Sequence, residues 1–299
     1  MHIERLRLLR ELGDRGSVAA VAAALHVSPS AVSQQLAALQ REVPQPLTAR
    51  RGRVLVLTPS GEALAAASVR VEEALELARG TVDALAGDER RTVTVSAFHS
   101  AGLLLFAPLL RRLDGAVPVA LRDADVALER FPGLTADHDL VIAHRLSHDP
   151  GWPTERMRAV ALFTEPVDVA LHAAHPLAAQ AGIRPEQLRD ERWVAVHDGF
   201  PLAGVLQHWG AMSGAPLRIE HRVNEFSLAA AIVRTGAAIA ALPRTTGASL
   251  AVDGMVLRPV VGSPIVRHVD VLARPDVLAQ AAVRRVLDEL LEVARSTAA

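Results

Sequence analysis

The periodicity of the chain changes once, near Arg90, and that change limits what it can fold into. Up to about residue 86 the apolar residues recur at helical spacing. Beyond it, short apolar runs of strand length alternate with amphipathic stretches. A chain of 299 residues has room for two or three domains, so the switch divides an α-rich front from a βα rear. Half the residues are hydrophobic, enough for a sizeable core. Cysteine is absent, which removes disulfides, thiolate zinc sites and a cysteine nucleophile. The stretch from Met1 to Asp14 alternates charge with leucine, unlike a signal peptide. No apolar run approaches the roughly 18 residues of a membrane span. The expectation is a soluble, cytoplasmic protein.

In the front part, Ile3, Leu6, Leu9 and Leu12 share one face of a helix over 2–13, ending near Gly13. Ser17 is placed to cap a short alanine-rich helix over 18–25. After the tight connection His26-Val27, Ser28 at the N-cap and Pro29 at the first helical position open a third helix. There Val32, Leu36, Leu39 and Val43 face inward and leave Ser30, Ser33, Gln34 and Gln35 on the open face. A helix that reads DNA needs this division: short polar side chains near its N-terminus for base edges, and an apolar back packed on the preceding helix. The octet 28–35 taken alone suits a plain amphipathic surface helix equally well. What tips the balance is its neighbours. Arg50-Arg51-Gly52-Arg53 forms a basic turn followed by Val54–Leu57, the pattern of a two-stranded wing. Thr58-Pro59-Ser60-Gly61 then starts a long helix to about Gly87. Its positions Leu64, Ser68, Val71, Leu75, Ala78, Val82 and Leu85 alternate spacings of four and three, a coiled-coil seam that predicts a homo-oligomer, with Gly80 inviting a bend.

Charge follows the same division. In residues 1–60 eight arginines stand against four carboxylates, a surplus of +4 in a chain whose formal charge is −1. A basic module on an acidic body predicts a local polyanion contact. Every one of the 32 basic residues is arginine, a bias that fits a GC-rich genome and lowers the weight of arginine counts by themselves.

In the rear part strands are expected at 93–97, 117–121, 140–143, 159–162, 167–171, 193–196, 217–223, 238–242 and 269–273. Helices are expected at 102–113, 202–212, 226–235 and 278–294. The alternation argues a parallel-type sheet, and the length two subdomains. In such sheets ligands sit where strands end and helices begin. The edges of that kind are Ser96, Phe98, His99 and Ser100; Asp123 and Asp125; His197, Asp198, Phe200 and Pro201; Asn224, Glu225 and Phe226; and the strand end at Ala143-His144. Ordinary loop polarity explains any one of them, and a ligand cleft explains the set. Two histidine pairs, His144 with His148 and His172 with His175, have spacings open to a metal but no convincing helix or carboxylate beside them; solvated loop histidines are the expectation. No nucleophile elbow, phosphate loop, dinucleotide fingerprint or His-Glu-x-x-His is present, so neither catalysis nor a cofactor is expected.

The front part resembles the LysR-type transcriptional regulators. The likeness is carried by Gly16-Ser17, Ala24-Leu25-His26-Val27-Ser28, Ser30 to Leu36, Pro46-Leu47, Arg50, and Leu57-Thr58 with Gly61. It departs from the family at Gln40, Val43-Pro44 and Thr48, and at Ala19, Ala20, Ala23 and Ala24 of the second helix, where charged residues are common. The resemblance implies an α+β multidomain protein: a winged helix-turn-helix (1–59), a linker and dimerisation helix (60–88), and a C-terminal α/β domain like type 2 periplasmic binding proteins (89–299). Subdomain I would span 89–164 and 266–299, and subdomain II 165–265. It implies sequence-specific binding of double-stranded operator DNA by Ser28, Pro29, Ser30, Ser33, Gln34 and Gln35, with Arg50, Arg51 and Arg53 on the wing. It also implies a small-molecule effector held among Ser96, Phe98, His99, Ser100, Asp125, His144, His197, Phe200, Pro201, Asn224 and Phe226, and a homodimer or homotetramer. The rival readings are a solute-binding protein, which leaves the first 90 residues idle, and an α/β enzyme, for which no nucleophile and base can be paired.

Overall fold

The computed structural model describes residues 1–52, 54–86, 91–252 and 254–298. Three helices open the chain: α1 (Ile3–Arg15), α2 (Val18–Ala24) and α3 (Pro29–Gln40). Helix α1 runs two residues beyond Gly13 and stops where Gly16 takes φ 72°, a left-handed conformation that glycine adopts without steric cost. Both expected caps form: Ala20 N donates to Ser17 Oγ at 3.1 Å, and Ala31 N to Ser28 Oγ at 3.1 Å. Each satisfies an orphan N–H of the first turn and contributes about 1 kcal/mol. Leu6, Leu9, Leu12, Val21, Val32, Leu36 and Leu39 meet in one small core.

The wing follows as an antiparallel hairpin, β1 (Thr48–Arg51) and β2 (Val54–Leu57), with Arg51 opposite Val54. Gln40 sets the approach to it. Its amide donates to the carbonyls of Val43 (3.2 Å) and Gln45 (2.9 Å), while its oxygen accepts from Leu47 N at 2.8 Å. A glutamate there could accept but not donate, so the departure at Gln40 is matched to the turn through Val43-Pro44. Gly61, near the start of α4 (Pro59–Ala86), lies so close to β1 that a Cβ would sit 2.0 Å from the Leu47 carbonyl oxygen.

Helix α4, about 40 Å long, has two unlike sides. Ala65, Ser68, Val69 and Glu72 are buried against the same chain, including α1. Val71, Leu75, Ala78 and Val82 are exposed. The seam thus divides: its start, Leu64 and Ser68, packs inward, and the next four positions form an open apolar stripe. Arg53 lies outside the described residues, as does the side chain of Leu85.

The rest of the chain builds one continuous sheet. In chain order the elements are β3 (Val93–Ala97), α5 (His99–Leu113), β4 (Val119–Asp123), α6 (Phe131–Leu134), β5 (Leu140–Leu146), β6 (Arg158–His172), β7 (Arg192–Ala195), α7 (Ala203–Ser213), β8 (Arg218–Arg222), α8 (Phe226–Arg234), β9 (Ile239–Pro243), α9 (Arg244–Leu250), β10 (Met255–Arg258), β11 (Val266–Ala273), α10 (Pro275–Leu278) and α11 (Ala281–Ala298). The strand order is β4-β3-β5-β11-β6-β9-β7-β8, with β10 beside β6. Strands β3, β4 and β5 are mutually parallel, as are β7, β8 and β9. Strands β11 and β6 are antiparallel to their neighbours, so the sheet is mixed, not of the expected parallel type. The two strands expected at 159–162 and 167–171 are one strand of 15 residues, β6. Pro166 does not break it, because the ladder with β11 ends at Val266↔Pro166 and pairing passes to β9 from Val167. Two hydrophobic cores result: one among β3, β5, β11, α5 and α11, the other among β7, β9, α7, α8 and the second half of β6.

Ion pairs fasten α1 to α4 and dock the front part on the rear. Arg10, 1% exposed, bonds Glu72 of α4 through Nε (3.2 Å) and Nη2 (2.9 Å). Arg156 reaches Asp14 at 3.0 Å, Arg274 reaches Glu11 at 3.7 Å, and Arg15 reaches Asp137 at 2.7 Å. The carboxylates Glu11 and Asp14 are therefore used at the back of α1, turned toward the larger domain.

Candidate DNA-reading face and effector cleft

Helix α3 presents the division read from the sequence except at Val43, which lies half-buried beyond the helix end at Gln40. Val32, Leu36 and Leu39 are buried, while Ser28, Pro29, Ser30, Ser33, Gln34 and Gln35 are exposed. Helix α3 begins at Pro29 behind a formed cap, and the polar side of its first two turns is open to solvent. Gln35 is partly engaged: its Oε1 accepts from Arg5 Nε at 3.0 Å, and Arg5 also pairs with Glu42. Gln34 has no comparable tether among the described bonds. Arg50 and Arg51 are exposed on β1. In α2, Ala19 and Ala23 are exposed and bring no charge to that surface.

The two sets of parallel strands point their C-terminal ends at one another, and the loops there meet across a cleft. From one side come Phe98, His99 and Ser100 at the start of α5, Asp125 beyond β4, and His144 on β5. From the other come Asn224, Glu225 and Phe226 at the start of α8. These eight residues line a cavity of about 20 Å³. His99 spans it, with Nδ1 3.2 Å from Asp123 Oδ2 and Nε2 3.5 Å from Glu225 Oε2. Asp125 is open at the cleft mouth but crowded by its walls. Burial first, then repulsion from Asp123 and Glu225, pushes its pKa up to about 6. His144 is a buried strand residue, not the expected loop histidine. Burial holds its pKa well below the usual imidazole range, with Arg267 acting in the same direction. Phe98 packs against it at a tilt of 33°, ring centroids 4.0 Å apart.

Of the remaining expected effector residues, Ser96 is fully buried on β3 and its hydroxyl has no partner. His197, Phe200 and Pro201 stand outside the lining of this cavity. His197 instead orients a lining residue, its N–H donating to Asn224 Oδ1 at 2.9 Å. His148 stacks on His208 with centroids 5.8 Å apart, and His175 caps a short turn and meets Glu191 at 3.2 Å. Behind Phe226, which walls both spaces, a larger apolar cavity of about 580 Å³ opens between α7 and the sheet, lined in part by Leu202, Leu206, Leu217 and Val223.

Arg267 and Glu165 are functional candidates that sequence reasoning missed. They face each other where β11 and β6 carry the chain between the two cores. Arg267, fully buried, donates from Nε to Glu165 Oε1 at 3.0 Å, from Nη1 to Ser100 Oγ at 3.2 Å and from Nη2 to Thr246 Oγ1 at 3.3 Å. Its guanidinium lies 5.2 Å from the Phe98 ring centroid. Burial lowers its pKa, opposed by Glu165. One ion pair thus ties together α5, α9 and both crossing strands directly below the cleft. Charged residues stand inside both strands, but Asp168 and Asp270 do so as well, so the sequence does not single out this pair.

With this geometry in view, two family models match. Residues 3–62 match the bacterial regulatory helix-turn-helix protein, lysR family, and residues 86–295 match the LysR substrate binding domain. The chain belongs to the LysR family of transcriptional regulators. It is 27% identical over 276 residues to a RuBisCO operon transcriptional regulator of Acidithiobacillus ferrooxidans, covering 89% of this chain and 85% of that protein. It is 26% identical over 265 residues to the regulator MetR of Salmonella typhimurium, covering 88% and 81%. Its fold is similar to that of a full-length OxyR variant from Pseudomonas aeruginosa, with a TM-score of 0.66 at 21% identity, covering 99% of this chain and 95% of that one. As a LysR-family regulator the protein joins a helix-turn-helix DNA-binding domain to an effector-binding domain. Among the described residues no helix is long and apolar enough to cross a membrane.

Proposed function

We propose that this LysR-family regulator reads its operator through the exposed N-terminal half of α3 and is controlled by a small molecule in the cleft between the two halves of its sheet. The observation that carries the first part is the exposure of Ser30, Ser33 and Gln34 on a capped helix whose opposite side is buried. A bidentate Gln–adenine pair is worth roughly 1–3 kcal/mol of discrimination. Arg50, Arg51 and Arg53 hold phosphates, which positions the reader without reading sequence. Residues 1–59 act as the DNA-binding unit, 60–88 as the linker and 89–299 as the sensor. Within the sensor, 89–164 with 266–299 form one wall of the cleft and 165–265 the other. The protein acts in the cytoplasm, carries out no catalysis, and works as a homodimer or a pair of homodimers.

The stripe Val71, Leu75, Ala78 and Val82 supports the dimer, because four exposed apolar positions at heptad spacing gain most by meeting their own copy. A dimer presents two copies of α3, so its operator is an interrupted inverted repeat with half-sites one helical turn, or a multiple of one, apart. Footprinting on the DNA upstream of the protein's own gene tests this. A protected inverted repeat supports the reading, and uniform protection without sequence preference refutes it. A second seat for the effector is favoured by one observation, the 580 Å³ apolar cavity behind Phe226, whose size suits a drug-sized ligand. Leu206→Trp intrudes on that cavity from a position outside the cleft lining, so it separates the two.

A further inference from the structure

The cleft gathers negative charge and offers little positive charge in return. Asp123 ends β4, Asp125 follows two residues later, and Glu225 sits at the N-cap of α8 on the opposite wall. His99 is shared between Asp123 and Glu225. The arginine nearest in effect to Asp125, Arg267, is already bound to Glu165, Ser100 and Thr246. An anionic ligand would meet Asp125 and Glu225, with Asp123 behind His99 and the Arg267 guanidinium already committed.

A second, independent observation points to a missing ligand. His144 lines the same cavity at 4% exposure, and neither of its ring nitrogens has a hydrogen-bond partner. Buried polar groups are almost always partnered, and a neutral imidazole offers one donor and one acceptor. Asp125 and Glu225 line the same space as the unpartnered histidine, with Asp123 joined to it through His99 and Phe98 and Phe226 closing it in.

We propose that the cleft binds a small organic cation, with its ammonium or guanidinium group among Asp123, Asp125 and Glu225 and a further polar atom on His144. This rests on the reading of the cleft as the effector site and specifies the class of effector. Among the described residues no three histidine or carboxylate side chains are arranged to hold a metal ion. Phe98 and Phe226 supply apolar walls beside it. A cavity of about 20 Å³ admits one water-sized group. The ligand therefore enters when the two halves part about β6 and β11, and its charge draws Glu225 back toward Asp123 and Asp125 across the gap.

The test uses the full-length protein and measures binding by calorimetry, with arginine, agmatine and putrescine as cations, succinate and benzoate as anions, and glucose as a neutral control. At least one cation is expected to bind, and Asp125→Asn and Glu225→Gln are expected to weaken it more than tenfold. Asp125 lies at an open edge, so its variant keeps the fold; circular dichroism confirms this. Affinity for the cation should rise about tenfold between pH 5 and pH 7, as Asp125 ionises through about 6 while facing Asp123, Glu225, His99 and Arg267. In Asp125→Asn that rise should vanish. Failure of every cation to bind up to about 10 mM overturns the inference. So does an anion whose binding is lost in Glu225→Gln and His144→Phe, although the cleft would then still be the effector site. A ligand that changes operator binding equally in wild type and in the Asp125, Glu225 and His144 variants overturns the cleft reading itself.

Discussion

Removing Glu165 gives the sharpest test of how the two halves of the sensor are joined. In Glu165→Ala the guanidinium of Arg267 stays at 0% exposure and keeps only the hydroxyls of Ser100 and Thr246, which are neutral. Stripping one partner from a buried ion pair costs about 3–5 kcal/mol, because the remaining charge is neither hydrated nor compensated. The substitution also orphans Thr245 N–H, which donates to Glu165 Oε2 at 2.8 Å, adding about 1–3 kcal/mol if no water replaces it. For a domain of this size each kcal/mol lowers Tm by roughly 2–4 °C. The midpoint should therefore fall by roughly 10 °C or more in a calorimetric scan. The control is Glu165→Ala/Arg267→Met, which removes both charges and leaves an apolar side chain of similar length. Replacing both members of a buried pair is often close to neutral, so the double variant should recover most of the loss. If Glu165→Ala costs under about 1 kcal/mol, or the double variant is no more stable than the single one, Arg267 reaches water and this account of the junction is wrong.

Leu75→Glu places two carboxylates in the stripe of α4, a cost of several kcal/mol per dimer. Sedimentation should show a monomer or reduced assembly, and an unaltered oligomer would move the interface elsewhere. Arg50→Ala/Arg51→Ala should flatten the plot of log affinity against log salt by about two phosphate contacts; an unchanged slope means that the wing does not touch the backbone. Gln40→Glu removes both donors that hold the turn before the wing, at roughly 1–3 kcal/mol, and the change should appear as faster exchange of the Leu47 amide.

The parts of this architecture that depend on near neighbours could be read from the chain. The caps at Ser17 and Ser28, the inward set Val32, Leu36 and Leu39, and the hairpin around Arg51-Gly52 are settled within a few residues of one another. What could not be read depends on distant partners. The end of α1 was misplaced because Gly13 resembles a stop, yet helical bonding continues to Gly16, whose N–H donates to Leu12 O at 2.9 Å. The strands expected at 159–162 and 167–171 are one, because pairing is handed at Pro166 from β11 to β9, segments far apart in the chain. Glu11 and Asp14 pair with Arg15 and Arg10 of their own helix, as offsets to the basic charge should, but they also reach Arg274 and Arg156 of the sensor. In the cleft, the edges at 98–100, 125, 144 and 224–226 come together as a set, because ends of parallel strands face one another across such sheets. Arg267 was invisible for the opposite reason: its importance lies in complete burial, which no local pattern marks.

The central claim is that the face of α3 carrying Ser33, Gln34 and Gln35 chooses the DNA sequence. Its most direct test is the ratio of affinities for the operator and for random duplex, measured at one salt concentration for wild type and for each single alanine substitution. All three side chains are exposed on a capped helix, so folding is unaffected and nonspecific binding, set by the wing and other phosphate contacts, should change little. Gln34→Ala should lower the ratio by roughly 1–3 kcal/mol. Gln35→Ala should lower it less if Arg5 keeps that side chain in the complex as it does here. Ratios unchanged in all three variants would make α3 a scaffold and place sequence readout elsewhere in the protein.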